Sequence, residues 1–402
     1  MLIGIDASRA NKKHRTGTEW YAFYVIKWLV NIDKKNNYLL YLDHPPQDDL
    51  LVIAQAPNVK IKILKWPFNY LWTQGRLSLE MIFCRPGILF VPAHALPIIH
   101  PRKSVVTIHD VGFVRSCQLY DYSQQIGPEN KRRRKFLNFL ARLFTGGKYG
   151  ANARDYLGWS TEYSLKHAQK IITVSNFSKQ EIINIYKTKE DKVKVVYNGY
   201  DDYLYQKISD QKKVKEVLEK YDIVQPYFLY IGRLDKKKNT PALIEAFSIM
   251  RDKNKELKHK LVLVGAASFG YDEINYMVDE FDLEEEVMLP GWIKEEDIPY
   301  LYQGADAFIF PSLYEGFGIP LLEAMACETP IIASKIASIQ EVAGEAALLF
   351  NPRDLSSMAE AMIEIVINNQ LRKKLIQAGA ERVKNFSWKK CATETLKEIE
   401  DM

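Results

Sequence analysis

Short apolar and β-branched runs alternate with longer amphipathic runs along almost the whole chain of 402 residues. The short runs are typical of strands buried on both faces of a sheet, and the amphipathic runs are typical of helices that cover it. This alternation favours parallel sheets, because a parallel strand pair needs a long crossover connection. The predicted strands are residues 2–7, 38–43, 59–64, 88–92, 105–109, 170–174 and 193–197, and then 227–231, 260–264, 287–289, 307–310, 331–333 and 347–350.

The chain is long enough for two domains, because a single core rarely grows beyond about 250–300 residues. A polar, lysine-rich stretch from residue 199 to about 221 separates the two series of strands and is predicted to be a linker. We therefore expect an α/β fold with two Rossmann-like parallel-sheet domains that face each other across a cleft. The predicted domains are residues 1–205 and 206–385.

Composition narrows the class of protein further. Hydrophobic residues make up 47% of the chain and charged residues 26%, as in an ordinary globular protein, and the net charge of +5 does not indicate a nucleic-acid partner. The four cysteines are far apart, with no pair at metal-binding spacing. The N-terminus leads directly into a strand, and no apolar run approaches the ~18 residues of a membrane span. These features predict a cytoplasmic protein.

The most informative stretch is residues 310–330, FPSLYEGFGIPLLEAMACETP. An apolar run ends at Phe310 and a loop with two glycines follows. Pro320 suits the first position of a helix, where its missing N–H is not needed. A strand, a glycine loop and a helix N-terminus together form an anion site. Free backbone N–H groups and the positive end of the helix dipole face the ligand there.

Two carboxylates frame this anion site, Glu315 in the loop and Glu323 in what we expect to be the first turn of the helix. Carboxylates repel phosphate but accept hydrogen bonds from hydroxyl groups. The pattern therefore predicts a ligand that carries both a phosphate and a sugar. It does not predict a two-carboxylate glycosidase, whose acids stand on either side of the bond that breaks.

A second group of candidate ligands follows the first strand of the second series. Gly232 and Arg233 come directly after that strand, and Lys238 precedes a predicted helix. A guanidinium fork and a compact ammonium suit the oxygens of a diphosphate. The neighbouring Lys236 and Lys237 are expected to be ordinary surface charges.

In the first half, His109 and Asp110 end a predicted strand, where open α/β sheets bind their ligands. The alternative interpretation is a helix cap and a histidine with a purely structural hydrogen bond. Residues 15–18 form a predicted glycine loop after the first strand, the place of phosphate or substrate loops in such sheets, although many such loops are only tight turns.

Residues 131–144, KRRRKFLNFLARLF, combine five consecutive basic residues with apolar residues at helical spacing. This pattern is typical of a helix that rests on anionic lipid, and equally of a helix packed on its own domain with a solvated charge cluster. Residues 145–159 are predicted to be a loop.

Taken together, these motifs resemble the retaining GT-B glycosyltransferases of family 4, also called glycosyltransferase group 1. The resemblance covers nearly the whole chain. The matching elements are HD at 109–110, VS at 174–175, NG at 198–199, GR at 232–233, KN at 238–239, EGFG at 315–318 and EAMA at 323–326.

The resemblance implies a role for each position. Arg233 and Lys238 would neutralise the departing diphosphate, Glu315 would bind the donor sugar, and Glu323 would bind the ribose. The implied catalytic residues are His109, Asp110, Arg233, Lys238 and Glu315, and the implied donor-binding residues are Gly17, Asn198, Gly232, Arg233, Lys238, Gly316, Phe317, Gly318 and Glu323.

The implied reaction moves a hexose from a nucleotide-diphosphate sugar to a glycan or lipid-linked acceptor in cell-surface polysaccharide synthesis, with retention at the anomeric carbon. No DxD motif follows a strand, so we expect no metal and no cofactor. The resemblance further implies that residues 386–402 return to the first domain. We expect the protein to attach peripherally to an anionic membrane through residues 131–144.

Two departures and two alternatives accompany this interpretation. Thr18 and Glu19 stand where the family often has a second glycine, and Glu328 stands where a small glycine is usual. One alternative is a nucleotide-sugar 2-epimerase, which shares the two-domain architecture. The other is a non-catalytic nucleotide-sugar-binding protein. It is disfavoured because all four candidate donor-site residues are present, namely Arg233, Lys238, Glu315 and Glu323.

Overall fold

The computed structural model describes residues 1–68, 70–120, 127, 130–144, 147–266 and 271–402. They form two compact units. The first comprises Met1–Asn198 and Trp388–Met402, and the second comprises Gly199–Ser387. The sequence places these boundaries at residues 205 and 385 instead.

The first unit contains a seven-stranded parallel sheet and the helices that cover it. Its strands are β1 (Leu2–Asp6), β2 (Asn37–Leu42), β3 (Val59–Ile63), β4 (Ile88–Val91), β5 (Ser104–Thr107), β6 (Lys170–Thr173) and β7 (Val193–Val195). Its helices are α1 (Gly17–Ile32), α2 (Asp48–Ala54), α3 (Ser78–Phe83), α4 (Gly112–Arg115), α5 (Lys131–Phe144), α6 (Ala153–His167), α7 (Asn176–Tyr186) and, from the end of the chain, α16 (Trp388–Glu400). The strand order is β3-β2-β1-β4-β5-β6-β7.

The second unit contains a six-stranded parallel sheet. Its strands are β8 (Tyr227–Ile231), β9 (Lys260–Val264), β10 (Val287–Gly291), β11 (Ala307–Phe310), β12 (Ile331–Ser334) and β13 (Ala347–Phe350), in the order β10-β9-β8-β11-β12-β13. Its helices are α8 (Gln211–Lys220), α9 (Thr240–Lys253), α10 (Tyr271–Glu280), α11 (Ile298–Gly304), α12 (Ile319–Ala326), α13 (Ala337–Ala343), α14 (Leu355–Ile367) and α15 (Asn369–Arg382).

The predicted fold class is confirmed, because both units are parallel α/β sheets with Rossmann-like topology. Every predicted strand is present within two residues of its predicted bounds. Fully buried strands such as β4, β5 and β11 explain this agreement. A strand buried on both faces must be apolar throughout, and the sequence shows it directly.

Strand order, in contrast, shows where a ligand can bind. In each sheet the order reverses beside the first strand, between β1 and β4 in the first unit and between β8 and β11 in the second. Connections leave in opposite directions at such a point and open a crevice at the carboxyl ends of the two strands. In the second unit, Gly232 follows β8 and the loop of residues 311–318 follows β11.

Three local predictions are wrong. Residues 145–159 were predicted to be a loop, but residues 153–159 belong to α6, which begins after the cap residue Asn152. Residues 145 and 146 of that predicted loop lie outside the described residues. Residues 211–220 form α8, whereas they were predicted to be linker. Helix α8 buries Val214 and Leu218 against α11, where Gly304 leaves room for them.

Gly17 is the first residue of α1 and does not lie in a loop. Glu19 closes a capping box, since its carboxylate accepts hydrogen bonds from the amide of Thr16, at 3.2 Å, and from the Thr16 hydroxyl. This contact accounts for the departure at residues 18 and 19, because a capping box requires an acid or amide at this position.

Helix α16 packs on α1 and completes the first unit. Trp388 is buried and its ring is stacked on Tyr24, with centroids 5.3 Å apart. Farther along, Glu398 pairs with Lys170 at 2.9 Å, and Glu400 accepts a hydrogen bond from Asn36 at 3.1 Å. Trp388–Met402 therefore belongs to the first unit.

Candidate active site

Two glycines allow close approach at the switch point of the second sheet. Gly232 follows β8 with φ of +157°, and Gly265 follows β9 with φ of +149°. A Cβ on Gly265 would lie 1.8 Å from the carbonyl oxygen of Gly232, closer than any non-bonded contact allows. Glycine at 265 therefore sets the path of the chain that leads into Arg233.

The loop after β8 is organised by one buried carboxylate. Asp235 accepts a hydrogen bond from the amide of Lys238 at 2.9 Å, and its other oxygen lies 3.6 Å from Nε of Arg233. The Arg233 side chain remains 56% exposed. The contact holds one edge of the guanidinium and leaves its charge near the crevice, where an anionic ligand can reach it.

The two loops at the switch point are joined through their backbones. The amide of Leu313 donates a hydrogen bond to the carbonyl of Lys237 at 3.0 Å. The prediction that Lys237 is a surface charge is wrong, because the residue is buried and its ammonium lies 5.6 Å from the ring centroid of Tyr314. Lys236, in contrast, pairs with Glu273 at a half-exposed position.

Lys238 and Glu315, which belong to different loops, form an ion pair with 2.5 Å between Nζ and Oε1. Both side chains are largely buried. Burial alone would raise the pKa of Glu315, but the charges of Lys238 and Lys237 outweigh it and hold this pKa below its ordinary value. Glu315 is therefore an anion at neutral pH, placed beside the cation predicted to bind diphosphate.

Helix α12 begins after Gly318, which has φ of +104° and acts as the N-cap residue. Pro320 is the second residue of α12, one position beyond the first position that the sequence predicted. Glu323 lies one turn further along, so the prediction that it occupies the first turn is wrong. The backbone at Gly316 and Phe317 precedes this N-terminus, and the Phe317 ring is buried, with its centroid 5.9 Å from that of Phe386.

Glu323 is a carboxyl group with an unusual protonation state. Burial and the charge of Glu295 raise the pKa of Glu323 to about 8, although a hydrogen bond from the Tyr302 hydroxyl, 3.1 Å from Oε2, acts in the opposite direction. At neutral pH the group is therefore mainly protonated and can both donate and accept hydrogen bonds.

Glu328, where the family usually has glycine, has φ of +55°. This left-handed conformation costs a side chain about 1–2 kcal/mol, which gives a physical reason for glycine at this position. An ion pair between Glu328 and Lys207, at 2.7 Å, stands at the surface.

In the first unit, His109 and Asp110 follow β5. Nε2 of His109 lies 3.0 Å from the carbonyl oxygen of Pro92, and since a carbonyl can only accept, this nitrogen carries the proton. Burial lowers the pKa of His109, so the ring is neutral at pH 7. Asp110 accepts a hydrogen bond from the amide of Gly112 at 2.9 Å and so supports the start of α4. These contacts fit the alternative interpretation of a helix cap and a histidine with a structural hydrogen bond. They leave Nδ1 of His109 as a hydrogen-bond acceptor.

The two remaining predicted donor-binding residues belong to the first unit. Gly17 begins α1 and would have open space around a Cβ. Asn198 is the last residue of the unit and follows the end of β7 by three residues.

Three residues that shape the candidate site are not among those predicted from the sequence: Gly265, Asp235 and Tyr302. A signal for Gly265 was present, since it follows a buried strand as Gly232 does. Asp235, two residues after Arg233, also had the spacing of a short capping turn. Tyr302 had no signal, because only the fold brings it to Glu323.

Among the described residues, no group of three or more His, Cys, Asp or Glu side chains is arranged to hold a metal ion. No helix in the described parts of the chain is long and apolar enough to cross a membrane.

Comparison with known families accounts for both units. A sequence model described as glycosyltransferase family 4 matches residues 17–204, and one described as glycosyl transferases group 1 matches residues 210–382. The chain is 30% identical to the O-antigen chain mannosyltransferase B of Escherichia coli over 347 residues, which cover 86% of this chain and 87% of the relative. The chain therefore belongs to the family 4 glycosyltransferases.

Solved structures agree on the fold. The sucrose-phosphate synthase of Thermosynechococcus elongatus superposes with a TM-score of 0.73 at 20% identity and covers 100% of this chain and 98% of its own. Anabaena HepE, solved in complex with UDP-glucose, gives a TM-score of 0.70 at 16% identity, covering 100% and 99%. The protein is a GT-B glycosyltransferase.

Proposed function

We propose that this glycosyltransferase moves a hexose, with mannose as the first candidate, from a nucleotide-diphosphate sugar to a glycan or lipid-linked acceptor, with retention and without a metal ion. The observation that carries the proposal is the meeting of Lys238, Glu315 and the Arg233 loop at the switch point of the second sheet. Mannose is favoured by the similarity to an O-antigen mannosyltransferase, and a nucleotide sugar by the fold shared with HepE.

Diphosphate binding would follow from the charges at this site. Arg233 and Lys238 would pair with the phosphate oxygens, and the N-terminus of α12 would add its N–H groups at Phe317 and Gly318. Gly232 would let the backbone approach the diphosphate closely. Positioned cations of this kind stabilise charge that develops on a leaving group, so the site would need no metal for that task.

Hydroxyl groups of the donor would be held by the two glutamates. Glu315, as an anion, would accept hydrogen bonds from the sugar and would exchange part of its contact with Lys238 for them. Glu323, as a protonated acid, would donate to one ribose oxygen and accept from the other hydroxyl. Two carboxyl groups with different protonation states would thus bind two parts of one donor.

The transfer step would break the bond between the anomeric carbon and the diphosphate oxygen, with the electron pair leaving on the phosphate. The acceptor hydroxyl would bond to the same face of the carbon, and its proton would pass to the departing phosphate oxygen. Neutral His109 would accept a hydrogen bond at Nδ1, and Asp110 would orient the acceptor. Gly17 and Asn198 would complete the donor contacts.

The acceptor would be a growing cell-surface glycan, with the enzyme peripheral to the membrane. Helix α5 supports this location, because Phe136, Phe139 and Leu143 are each more than 60% exposed beside a basic N-terminal half. A helix of this kind can insert its apolar side chains between anionic head groups.

The proposal is tested by incubating the protein with a panel of nucleotide-diphosphate hexoses, a mannose-terminated oligosaccharide acceptor and a chelator. We expect free nucleoside diphosphate and an extended oligosaccharide by mass spectrometry, with an α-linkage by NMR when the donor is α-linked. An epimerised sugar nucleotide with no extended product would contradict transfer. Loss of all turnover in chelator, restored by a divalent cation, would contradict metal independence.

A further inference from the structure

A groove of about 890 Å³ opens on the first unit beside α6, a size within the range of small-molecule sites. One face of α6 forms its long wall, through residues such as Gly158, Glu162 and Leu165. The segment before α6, the end of α7, the segment that follows α7 and part of α4 complete the lining. None of the residues assigned above to donor or acceptor chemistry lines this groove.

Positive charge dominates the lining of the groove. Its basic side chains are Lys148, Arg154, Lys166, Lys187, Lys189 and Lys192, against two acids, Asp155 and Glu162. Glu162 is paired with Lys148 at 2.5 Å. Asp155 accepts hydrogen bonds from the amide of Gly150, at 2.7 Å, and from Asn152, at 2.9 Å. Both acids are therefore engaged by neighbours.

Three of the lysines, in contrast, keep their charge available. Lys166, Lys187 and Lys189 have no carboxylate within ion-pair distance among the described residues, and all three are exposed. The ammonium of Lys192 donates to the carbonyl oxygens of Leu165, at 2.6 Å, and of Lys166, at 3.2 Å, at the C-terminal end of α6. An ammonium has three donors, so Lys192 retains one for a ligand.

Apolar side chains line the same groove. Phe113 and Leu165 are buried, and Ile185 and Tyr186 are half-buried at the end of α7. A cationic rim over an apolar floor is complementary to a ligand that has an anionic head and an apolar chain. A free inorganic anion would use only half of such a surface.

Helix α5 lies next to this groove within the same unit. The side-chain oxygen of Asn138 in α5 accepts a hydrogen bond from the amide of Ala151 at 2.9 Å. Ala151 belongs to the segment between Lys148 and Arg154, which contributes to the lining. Helix α5 is therefore joined to the segment that lines one side of the groove.

We propose that this groove binds a phosphoryl group attached to an apolar chain, the chemical class of a lipid phosphate or diphosphate. The inference extends the proposed lipid-linked acceptor by giving its carrier a binding site on the first unit. It rests on the proposed function only for the identity of that carrier.

The test measures binding and not turnover. Farnesyl diphosphate serves as a soluble phosphorylated chain, pyrophosphate as the head group alone, and farnesol as the chain alone. We expect farnesyl diphosphate to bind at least tenfold more tightly than either partial ligand in calorimetric titration. We expect the triple variant Lys166→Gln/Lys187→Gln/Lys189→Gln to weaken it at least tenfold.

Matched controls separate this groove from the donor site. The triple variant Lys212→Gln/Lys213→Gln/Lys215→Gln removes three lysines from α8 and should bind farnesyl diphosphate as the wild type does. Lys238→Ala should also retain that binding, while the groove variant should retain nucleoside diphosphate binding. Equal affinity of the groove variant and the wild type would overturn the proposal. Equal affinity for pyrophosphate and farnesyl diphosphate would overturn its lipid part.

Discussion

The ion pair between Lys238 and Glu315 joins two candidate site residues from different loops. In the proposed function Lys238 binds the diphosphate and Glu315 binds the sugar, and in the structure the two side chains are paired with each other. The pair keeps both charges largely buried and in place, since an unpaired buried charge would cost several kcal/mol. A donor that offers phosphate to one and hydroxyl groups to the other replaces the contact without leaving either unpaired.

Replacing Lys238 or Arg233 by alanine should lower kcat by about 10²–10³ each, the usual effect of removing one group that stabilises a developing anion. Lys236→Ala is the matched control, because Lys236 stands in the same loop but pairs with Glu273 at the surface. Steady-state kinetics with the identified donor gives the comparison. Activity within threefold of wild type in both Arg233→Ala and Lys238→Ala would contradict the diphosphate role.

Stability should change with pH through Glu323. Its folded-state pKa of about 8 lies above the ordinary value of 4.5, so between these values the folded chain holds a proton that the unfolded chain has lost. This contribution is present at low pH and declines as the pH rises to about 8. Glu323→Gln, which imitates the protonated acid, should gain in Tm relative to wild type, by a few degrees, between pH 5 and pH 8.

Thermal unfolding at pH 5, 7 and 9 measures that difference. Glu296→Gln removes an exposed carboxylate and serves as the control for a general charge effect. A Tm difference between Glu323→Gln and wild type that stays constant over this range would show that Glu323 is not protonated at neutral pH.

Among the elements of the second unit, the strand ends and their glycines position the loops of the candidate site. Gly265 follows β9 and lies against the backbone of Gly232, which follows β8, so the path of the chain after β9 positions the loop that carries Arg233. The register of the β8–β9 pair therefore affects the position of the candidate site through backbone contacts and not through a polar side chain.

Gly265→Ala should destabilise the protein by about 2–4 kcal/mol, because the added methyl group collides with the Gly232 carbonyl and the residue has positive φ. Donor affinity should fall as well, since Arg233 moves with that carbonyl. Gly17→Ala is the control for stability, because its Cβ meets open space and it begins a helix. Denaturant unfolding should show Gly17→Ala unchanged or slightly more stable, and equal stability of both variants would refute the role of Gly265.

Helices α5 and α8 form a matched pair for testing membrane attachment. Both are lysine- or arginine-rich and amphipathic, but α8 buries its apolar residues whereas α5 exposes Phe136, Phe139 and Leu143. Charge reversal of Lys131, Arg132 and Arg134 to Glu should reduce flotation with phosphatidylglycerol vesicles at least tenfold, as should Phe136→Gln/Phe139→Gln.

Reversal of Lys212, Lys213 and Lys215 in α8 should leave that flotation unchanged. Binding should also weaken as salt screens the charges. Equal flotation of the α5 and α8 variants would show that α5 does not attach the protein to anionic lipid.

At the scale of the whole molecule, the first unit is completed by the other end of the chain. Trp388 has only 2% of its surface exposed, and α16 covers α1. A chain that ends before this helix would leave the aromatic face of α1 in water. We therefore expect folding of the first unit to require α16 as well as the residues up to Asn198.

Trp388→Ala should destabilise the first unit by about 3–5 kcal/mol, because it removes a buried ring and its stacking on Tyr24. Lys389→Ala, one residue along on the exposed side, should change stability by less than about 0.5 kcal/mol. Denaturant titration followed by fluorescence and circular dichroism compares the two. Similar midpoints for both variants would contradict the proposed closure.

The strands, the fold class and the family could be predicted from the sequence, because a strand buried on both faces consists of an apolar run and the glycine loops keep a fixed spacing. The sequence also placed Arg233, Lys238, Glu315 and Glu323 near strand or helix ends. The sequence did not predict helices α6 and α8, because their polar residues favoured a loop and a linker.

The pairing, protonation and burial of those residues depend on the tertiary structure. Strand order placed the loops after β8 and β11 side by side, and this contact made Lys238 and Glu315 partners. Burial beside Tyr302 and Glu295 set the protonation of Glu323, and packing under Tyr314 enclosed Lys237. A charged side chain and the groups that surround it come from distant parts of the chain. No local sequence pattern therefore indicates how strongly they interact.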